Sequence, residues 1–202
     1  MRREPRAAAE TLERLAELLA TLHAQRGPTF GKVALVDNGG APSGSSCEGR
    51  VTAGALHDIE EIAVREPRAA AVRDQLADTV RDLAAAVRPR DRHTLIHGEL
   101  GPDHVLVTAD GHPALIDIEG LMYFDVEWEH VFLRLRFGPH YDVLRTPDLD
   151  EDRLRLYRLA MHLSLVAGPL RLLDGDFPDA EFMRGIAEYN LGQALSLLPA
   201  AS

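Results

Sequence analysis

Apolar residues recur every three or four positions along most of the chain, which is the spacing of one buried helix face. The first such pattern ends at Gly27 and Pro28, and it consists of leucines at positions Leu12, Leu15, Leu19 and Leu22. The same spacing predicts further helices over residues 52–65, 67–87, 126–137, 149–167 and 180–198. Proline ends two of them, at Pro89 and at the Gly168-Pro169 pair.

Three short β-prone runs interrupt the helices, at residues 94–96, 105–107 and 114–118. Asp110 and Gly111 stand between the last two and predict a hairpin turn. The chain is therefore expected to be mainly α with a small β-hairpin. We expect a single domain over residues 1–202, with a flexible loop rich in glycine, proline and serine at about 28–50.

The net charge of −10, from 32 acidic and 22 basic residues, argues against a nucleic-acid partner. The arginines are interleaved with acids and form no positive face that could displace counterions from phosphates. An acidic protein favours a cationic small molecule instead. One cysteine, Cys47, cannot form an internal disulfide, and no apolar run has the length of a bilayer span. We therefore expect a cytoplasmic protein without a membrane partner.

Candidate chemistry is concentrated between residues 97 and 120. Glu99 and His104 belong to the loop after the first predicted strand, and Asp117 belongs to the returning strand of the hairpin. A hairpin brings His104 and Asp117 together, and such a cluster can hold a divalent cation beside a proton acceptor. Asp117 is flanked by Leu115, Ile116 and Ile118, so a buried carboxylate there would need a partner or a metal.

This segment, H-G-E at residues 97–99, His104 and I-D-I-E at residues 116–119, resembles the aminoglycoside and macrolide phosphotransferase family. The run F-D-V-E-W-E at residues 124–129 and T-L-H-A at residues 21–24 are similar to two further family features. The resemblance extends from about Leu12 to the C-terminus. It implies a protein-kinase-like C-terminal lobe, with the N-terminal lobe absent.

The resemblance also implies an ATP-dependent O-phosphotransferase that acts on a small-molecule hydroxyl with Mg²⁺ and ATP as cofactors. Glu99 falls on the family's catalytic aspartate, His104 on its asparagine or histidine metal ligand, and Asp117 on its metal-binding aspartate. His97 would hold the loop. Glu119 would be a second metal ligand or face solvent. The residues that would bind ATP are left unassigned.

Two features differ from the family. Glu99 is one methylene longer than aspartate, which moves the carboxylate by about 1.5 Å unless the backbone retreats. The phosphate-gripping lysine of the N-terminal lobe has no counterpart, because the only lysine, Lys32, follows a helix in a Gly27–Lys32 segment that is one residue short of a Walker A spacing. We therefore expect poor nucleotide affinity and a need for an upstream sequence, a partner lobe or a homo-oligomer.

The alternative function is a catalytically silent C-lobe that serves as a binding or regulatory module. A metal-dependent hydrolase built on His104, Asp117 and Glu119 ranks last, since no H-E-x-x-H motif supports it. Asp125 is expected to cap the helix after it, in preference to contacting substrate. Trp128 is expected in the core, and Glu127, Glu129 and His130 on a helix surface.

Overall fold

The computed structural model describes residues 5–42 and 44–199. By its backbone contacts the chain divides into two compact units, Met1–Cys47 with Arg90–Asp150 and Glu48–Pro89 with Glu151–Ser202. The expectation of a single domain stays a prediction. Within the described ranges, no helix is both long enough and apolar enough to cross a bilayer.

The first unit combines helices with a small antiparallel sheet. Its helices are α1 (Pro5–His23), α2 (Val33–Val36), α6 (Val126–Phe137) and α7 (Tyr141–Leu144). Its strands are β1 (Arg26–Gly27), β2 (Gly31–Lys32), β3 (His93–Ile96), β4 (Val105–Val107), β5 (Pro113–Leu115) and β6 (Met122–Phe124). Four strands form a sheet in the order β1-β3-β6-β2, and β4 pairs with β5 as the predicted hairpin.

The core of the first unit explains the leucine pattern of α1. Leu15 and Leu19 are buried together with Leu100 from the loop after β3, and the other buried members are Leu133, Phe137, Tyr141 and Leu144. Leu12, Leu22 and residues of the β4–β5 hairpin pack against this cluster. The loop that carries the candidate site is thus anchored at Leu100, because exposing that leucine would cost on the order of 2 kcal/mol.

The second unit is helical. It contains α3 (Cys47–Arg65, whose first residue is counted with the first unit), α4 (Pro67–Ala70), α5 (Arg73–Ala86), α8 (Glu151–Leu173) and α9 (Ala180–Ser196). Apolar positions spaced by three or four are buried on these helices: Ile59, Ile62, Leu76, Val80, Leu156, Leu159, Leu163, Ala187 and Leu191. Helix α8 packs extensively against α9 and also contacts α5.

Three element boundaries differ from the sequence expectation. The segment expected as a loop at about 28–50 contains β2, α2 and the start of α3, while Ser43 lies outside the described residues and the flexibility stays a prediction. The helix expected over 67–87 is interrupted at Val72, whose φ of −124° is not helical. Helix α8 continues through Pro169 to Leu173. Gly168 makes this possible, because it has no Cβ to clash with the proline ring.

Candidate functional site

The loop after β3 is held from beneath by a buried carboxylate. Glu129 Oε2 accepts hydrogen bonds from the backbone N–H groups of His97, at 2.5 Å, and of Gly98, at 3.4 Å. Gly98 has a φ of +92°, and a Cβ there would lie 3.1 Å from Met122 Cε. The sharp turn therefore needs glycine, and it directs Glu99 to the exposed side of the loop.

The tautomer of His104 follows from its hydrogen bond. Its Nδ1 lies 2.8 Å from the backbone carbonyl oxygen of Glu99. A carbonyl oxygen only accepts, so Nδ1 carries a proton and the lone pair of a neutral ring is on Nε2. Nε2 lies 3.4 Å from Asp117 Oδ2, so two electron-rich atoms face each other. Such a pair is stabilised when a cation, a proton or a metal ion, lies between them.

The prediction that Asp117 lies on a buried strand was wrong. Strand β5 ends at Leu115, and Asp117 adopts the left-handed conformation, with φ 60° and ψ 46°. Its side chain is 54% exposed, and Ile116 and Ile118 are exposed as well. Aspartate tolerates this backbone region better than most residues. Because Asp117 is exposed, its carboxylate does not need a metal or a partner to offset burial. Its short distance to His104 is what indicates a functional role.

The His104–Asp117 pair matches the requirements of a weak divalent-cation site. Two ligand atoms at right angles on Mg²⁺ are about 3.0 Å apart, because Mg–ligand distances are 2.0–2.1 Å. The observed 3.4 Å needs only a small side-chain movement. Mg²⁺ commonly keeps several waters beside one or two protein ligands, and the exposure of Asp117 leaves room for them. An imidazole is a less favourable Mg²⁺ ligand than an oxygen, so Mg²⁺ at this pair is expected to bind weakly.

His97 supports the hairpin, as the sequence expectation of an architectural role requires. The ring is buried, and Nε2 donates to the carbonyl oxygen of Ile116 at 2.9 Å. The same ring stacks on His104, with 5.7 Å between the ring centroids. His97 thus connects the loop, the end of β5 and His104, and it restricts the orientation of the His104 ring.

An ion pair covers the other side of the loop. Arg136 contacts Asp103 at 2.5 Å, and the guanidinium lowers the pKa of the Asp103 carboxyl below its usual range. A Cβ on Gly101 would lie 2.5 Å from Asp103 Oδ1 and 2.7 Å from Arg136 Nε, so this glycine lets the pair pack closely. No local sequence pattern predicts this pair, since Arg136 lies more than thirty residues from Asp103 along the chain.

The expectation that Glu127, Glu129 and His130 decorate a helix surface was wrong. Their exposed fractions are 1%, 0% and 0%. Glu127 accepts two hydrogen bonds from Arg90, at 2.8 and 3.0 Å, and one from the backbone N–H of Asp150. The polar partners explain how charged groups tolerate burial here. The family-like run at residues 124–129 was the signal in the sequence, but helix periodicity alone did not identify the buried face.

His130 is kept neutral by its surroundings. Burial lowers the pKa of His130 to about 3, and His23 adds to the effect. The ring contacts Tyr141 Oη at 3.3 Å and Thr146 Oγ1 at 2.9 Å, so both nitrogens have partners without a second proton. The ring edge also meets His23, at 5.8 Å between centroids. A neutral His130 avoids a buried positive charge beside His23.

The remaining candidates have different surroundings. Asp125 occupies the N-cap position of α6, but within the described residues its carboxylate makes no capping hydrogen bond, so that prediction was wrong. The side chain is buried and lies 3.8 Å from Arg90.

Glu119 is exposed in a 3-10 turn, Ile118–Gly120. Trp128 is partly buried and packs edge-on against Phe124. Lys32 lies on β2, not in a loop as expected.

A sequence-family model described as a phosphotransferase enzyme family matches residues 1–168. No curated protein matches the chain. Solved structures do match. An apo thermostable mutant of aminoglycoside phosphotransferase APH(4)-Ia is 22% identical, with a TM-score of 0.61 and coverage of 91% of this chain and 64% of that one. A further variant of that enzyme, in a ternary complex with AMP-PNP and hygromycin B, is 23% identical, with a TM-score of 0.63 and coverage of 90% and 64%.

The choline kinase LicA from Streptococcus pneumoniae is also similar, at 14% identity and a TM-score of 0.59, with coverage of 93% of this chain and 64% of that chain. At these identities the likeness shows the fold, and it confirms the prediction of a mainly α, kinase-like lobe. The chain spans about 64% of the length of these structures.

Proposed function

The chain belongs to the phosphotransferase enzyme family, and from this premise we propose that it contributes to transfer of the γ-phosphoryl group of ATP to a hydroxyl of a small molecule. The observation that carries the proposal is the 3.4 Å approach of His104 Nε2 to Asp117 Oδ2 on the loop that presents Glu99. Each of the three side chains then has a distinct task.

His104 and Asp117 would hold Mg²⁺. Bound there, Mg²⁺ supplies positive charge to the phosphate oxygens. The hydrogen bond from His104 Nδ1 to the Glu99 carbonyl directs Nε2 outward, and the stacked His97 ring limits its rotation. These contacts orient the coordinating nitrogen before Mg²⁺ binds. They therefore reduce the conformational entropy that would be lost on binding.

Glu99 would act as the proton acceptor. The substrate hydroxyl oxygen forms a bond to the γ-phosphorus, the bond from phosphorus to the bridging β–γ oxygen breaks, and the hydroxyl proton passes to the Glu99 carboxylate. The neighbouring Gly98 lets the backbone adopt a φ of +92°. This backbone freedom is how the loop would accommodate a side chain one methylene longer than aspartate.

The substrate class is proposed from charge and from the structural neighbours. One similar structure is a complex with hygromycin B, and another is a choline kinase. The net charge of −10 favours association with a cation. We therefore propose a hydroxyl-bearing, positively charged small molecule, such as an amino sugar or an amino alcohol.

The test is phosphoryl transfer from γ-labelled ATP, in the presence of Mg²⁺, to a panel of amino sugars and amino alcohols. Wild type should label at least one of them, but slowly and only at a high ATP concentration, because nucleotide affinity without an N-terminal lobe is expected to be poor. Asp117→Asn should lower the rate roughly 100-fold to 1,000-fold, the cost of losing one preorganised electrostatic group. The matched control is Asp110→Asn, since Asp110 is also exposed on the hairpin and also near a histidine, His112, at 3.8 Å. Equal rates in the two variants, or no labelled product from wild type, would contradict the proposal.

A second candidate function is a binding module that transfers no phosphate. The observation that favours it is the glutamate at position 99, where the family resemblance implies aspartate. Under this alternative the chain binds Mn²⁺ or Mg²⁺ at Asp117 and binds a small cation, but Glu99→Gln changes neither affinity and no product forms. The labelling assay separates the two functions, because only the enzyme yields a phosphorylated product.

A further inference from the structure

Three buried side chains of metal-ligand type meet in the first unit, apart from the hairpin site. Cys47 begins α3, His93 begins β3, and Asp125 follows β6 directly. Strands β3 and β6 are antiparallel, and the pairing of Thr94 with Phe124 places the next pair, His93 and Asp125, opposite each other. Directly opposed residues project to the same face of a sheet, so the topology itself brings this histidine and this aspartate together.

The distances suit a tetrahedral ion. One ligand atom from each of Cys47, His93 and Asp125 lies within 4.8 Å of the other two, and this is the only such trio among residues 5–42 and 44–199. Cys47 Sγ is 3.7 Å from His93 Nδ1. Zn–S and Zn–N bonds of 2.3 and 2.0–2.1 Å at a tetrahedral angle put sulfur and nitrogen about 3.5 Å apart. The sulfur and the nitrogen thus have nearly the spacing of two zinc ligands, and the Asp125 carboxylate, which lies within 4.8 Å of both, has to move closer to complete the site.

The charges around the trio also accommodate a cation. Arg90 donates to both oxygens of Glu127, and it lies 3.8 Å from Asp125 and 4.0 Å from Asp150. Three carboxylates thus surround one guanidinium. The three carboxylates and the guanidinium sum to a net charge of −2, and a divalent cation that displaces the Cys47 thiol proton changes this sum to −1, so ion binding reduces the charge that the region has to hold.

Aromatic side chains cover another side of the trio. The Phe30 ring packs against the rings of His93 and Phe124, with 5.6 and 6.4 Å between the ring centroids. Phe124 in turn packs against Trp128, with 6.1 Å between their centroids. Phe30 and Phe124 are both buried. An apolar shell of this kind restricts solvent access and strengthens the bonds between an ion and its ligands.

From this juxtaposition we propose that Cys47, His93 and Asp125 form a zinc site. A thiolate and an imidazole select zinc over magnesium, and three protein ligands leave the fourth position to a water molecule. Ion binding releases the thiol proton to solvent and ties the first residue of α3 to the sheet. This site is separate from the Mg²⁺ site proposed at His104 and Asp117, and it does not depend on phosphotransferase activity.

Cobalt spectroscopy tests the proposal with the full chain. After treatment with a chelator, Co²⁺ is added and the absorption spectrum is recorded. We expect a near-ultraviolet thiolate-to-cobalt charge-transfer band and intense visible bands of four-coordinate cobalt, both saturating at one Co²⁺ per chain and both displaced by Zn²⁺. The charge-transfer band can arise from one residue alone, because Cys47 is the only cysteine in the sequence.

Two variants test Cys47 and Asp125 as ligands. Cys47→Ser should lose the charge-transfer band, and Asp125→Asn should weaken Zn²⁺ binding by more than about 10-fold. The matched control Asp117→Asn, which removes a carboxylate from the other site, should leave the charge-transfer band unchanged, because that band arises from Cys47. Circular dichroism checks that each variant is folded. A wild-type spectrum without the charge-transfer band overturns the proposal whatever the variants do, as does a cobalt spectrum that changes in Asp117→Asn and not in Asp125→Asn.

Discussion

The first unit contains exposed and buried acidic residues, and the two kinds differ in the hydrogen bonds and ion pairs that fix their carboxylates. Asp117, near His104 on the hairpin, is 54% exposed, and its contact with His104 is 3.4 Å long. Glu127 and Glu129, at the start of α6, are fully buried and fixed by Arg90 and by backbone N–H groups. The exposed Asp117 is accessible to a ligand, while the buried Glu129 holds the backbone of the loop that carries Glu99.

The exposed acids are proposed to carry out the chemistry, and the buried Glu129 positions the loop. Glu129 accepts hydrogen bonds from the backbone N–H groups of His97 and Gly98, and these bonds fix the turn from which Glu99 projects. Removal of the Glu99 or Asp117 carboxylate should therefore lower activity and leave stability almost unchanged. Loss of a buried acid should lower stability first and activity only through the geometry of the loop.

The largest effect is expected at Glu99. Glu99→Gln should lower kcat by roughly 10² to 10⁴, the range for losing a general base, with little change in KM, since the lost proton transfer matters in the transition state. Steady-state kinetics of the labelling reaction measures both constants. Glu99→Asp sharpens the test, because a site tuned to glutamate loses rate with the shorter side chain. An unchanged kcat in Glu99→Gln would remove this residue from the mechanism.

His130 should contribute the steepest pH dependence among the buried groups. Its folded pKa, about 3, is below the unfolded value near 6.5, so its stabilising effect is complete above pH 6.5 and is lost as the pH falls toward 3. His130→Gln keeps hydrogen-bonding atoms without titrating. Between pH 7 and pH 4 the variant should lose about 3 kcal/mol less stability than wild type. Urea unfolding at both pH values measures this, and parallel losses would contradict the assignment.

Glu129→Gln tests the buried side of the comparison. The amide can accept from only one oxygen and adds a donor beside two backbone N–H groups, so we expect a loss of about 1–3 kcal/mol in the free energy of unfolding. Glu13→Gln, which removes an exposed acid from α1, is the matched control and should change stability by less than about 0.5 kcal/mol. If both variants unfold at the same urea concentration, the buried carboxylate does not support the loop.

The smallest effect is expected at Asp103, whose partner Arg136 is 41% exposed. Asp103→Asn should lower the free energy of unfolding by at most about 1 kcal/mol. Solvent screens an exposed ion pair, and holding its two side chains in place costs conformational entropy. Thermal unfolding at low and high salt measures the difference, which should shrink as salt is added. A loss larger than that of Glu129→Gln would reverse the distinction between exposed and buried acids.

The sequence predicted the exposed group better than the buried one, for a physical reason. His104 and Asp117 flank a hairpin whose turn, Asp110-Gly111, is a local signal, so their approach follows from short-range structure. Glu129 and Arg90 find their partners more than thirty residues away, and helix periodicity does not reveal such contacts. The family-like run at residues 124–129 marked the region without showing which side chains were buried.

Helix positions show the same division. The leucines of α1 predicted its buried face, because a regular stripe depends only on the 3.6-residue period. The continuation of α8 through Pro169 was not predicted, since a proline is ordinarily a stop signal, whereas Gly168 permits the longer helix and packing against α9 favours it. Asp117 lies beyond the end of β5 in a left-handed backbone conformation. An alternation of apolar and polar residues does not predict such a conformation.

The central claim is that His104 and Asp117 together hold a divalent cation on the exposed hairpin, and a Mn²⁺ titration followed by paramagnetic NMR broadening tests it most directly. In wild type, we expect saturable broadening centred on residues 97–104 and 116–119. In Asp117→Ala this broadening should be lost, while in Asp110→Ala, which removes the aspartate near His112 on the same hairpin, it should persist. Identical responses of wild type and Asp117→Ala would contradict the claim.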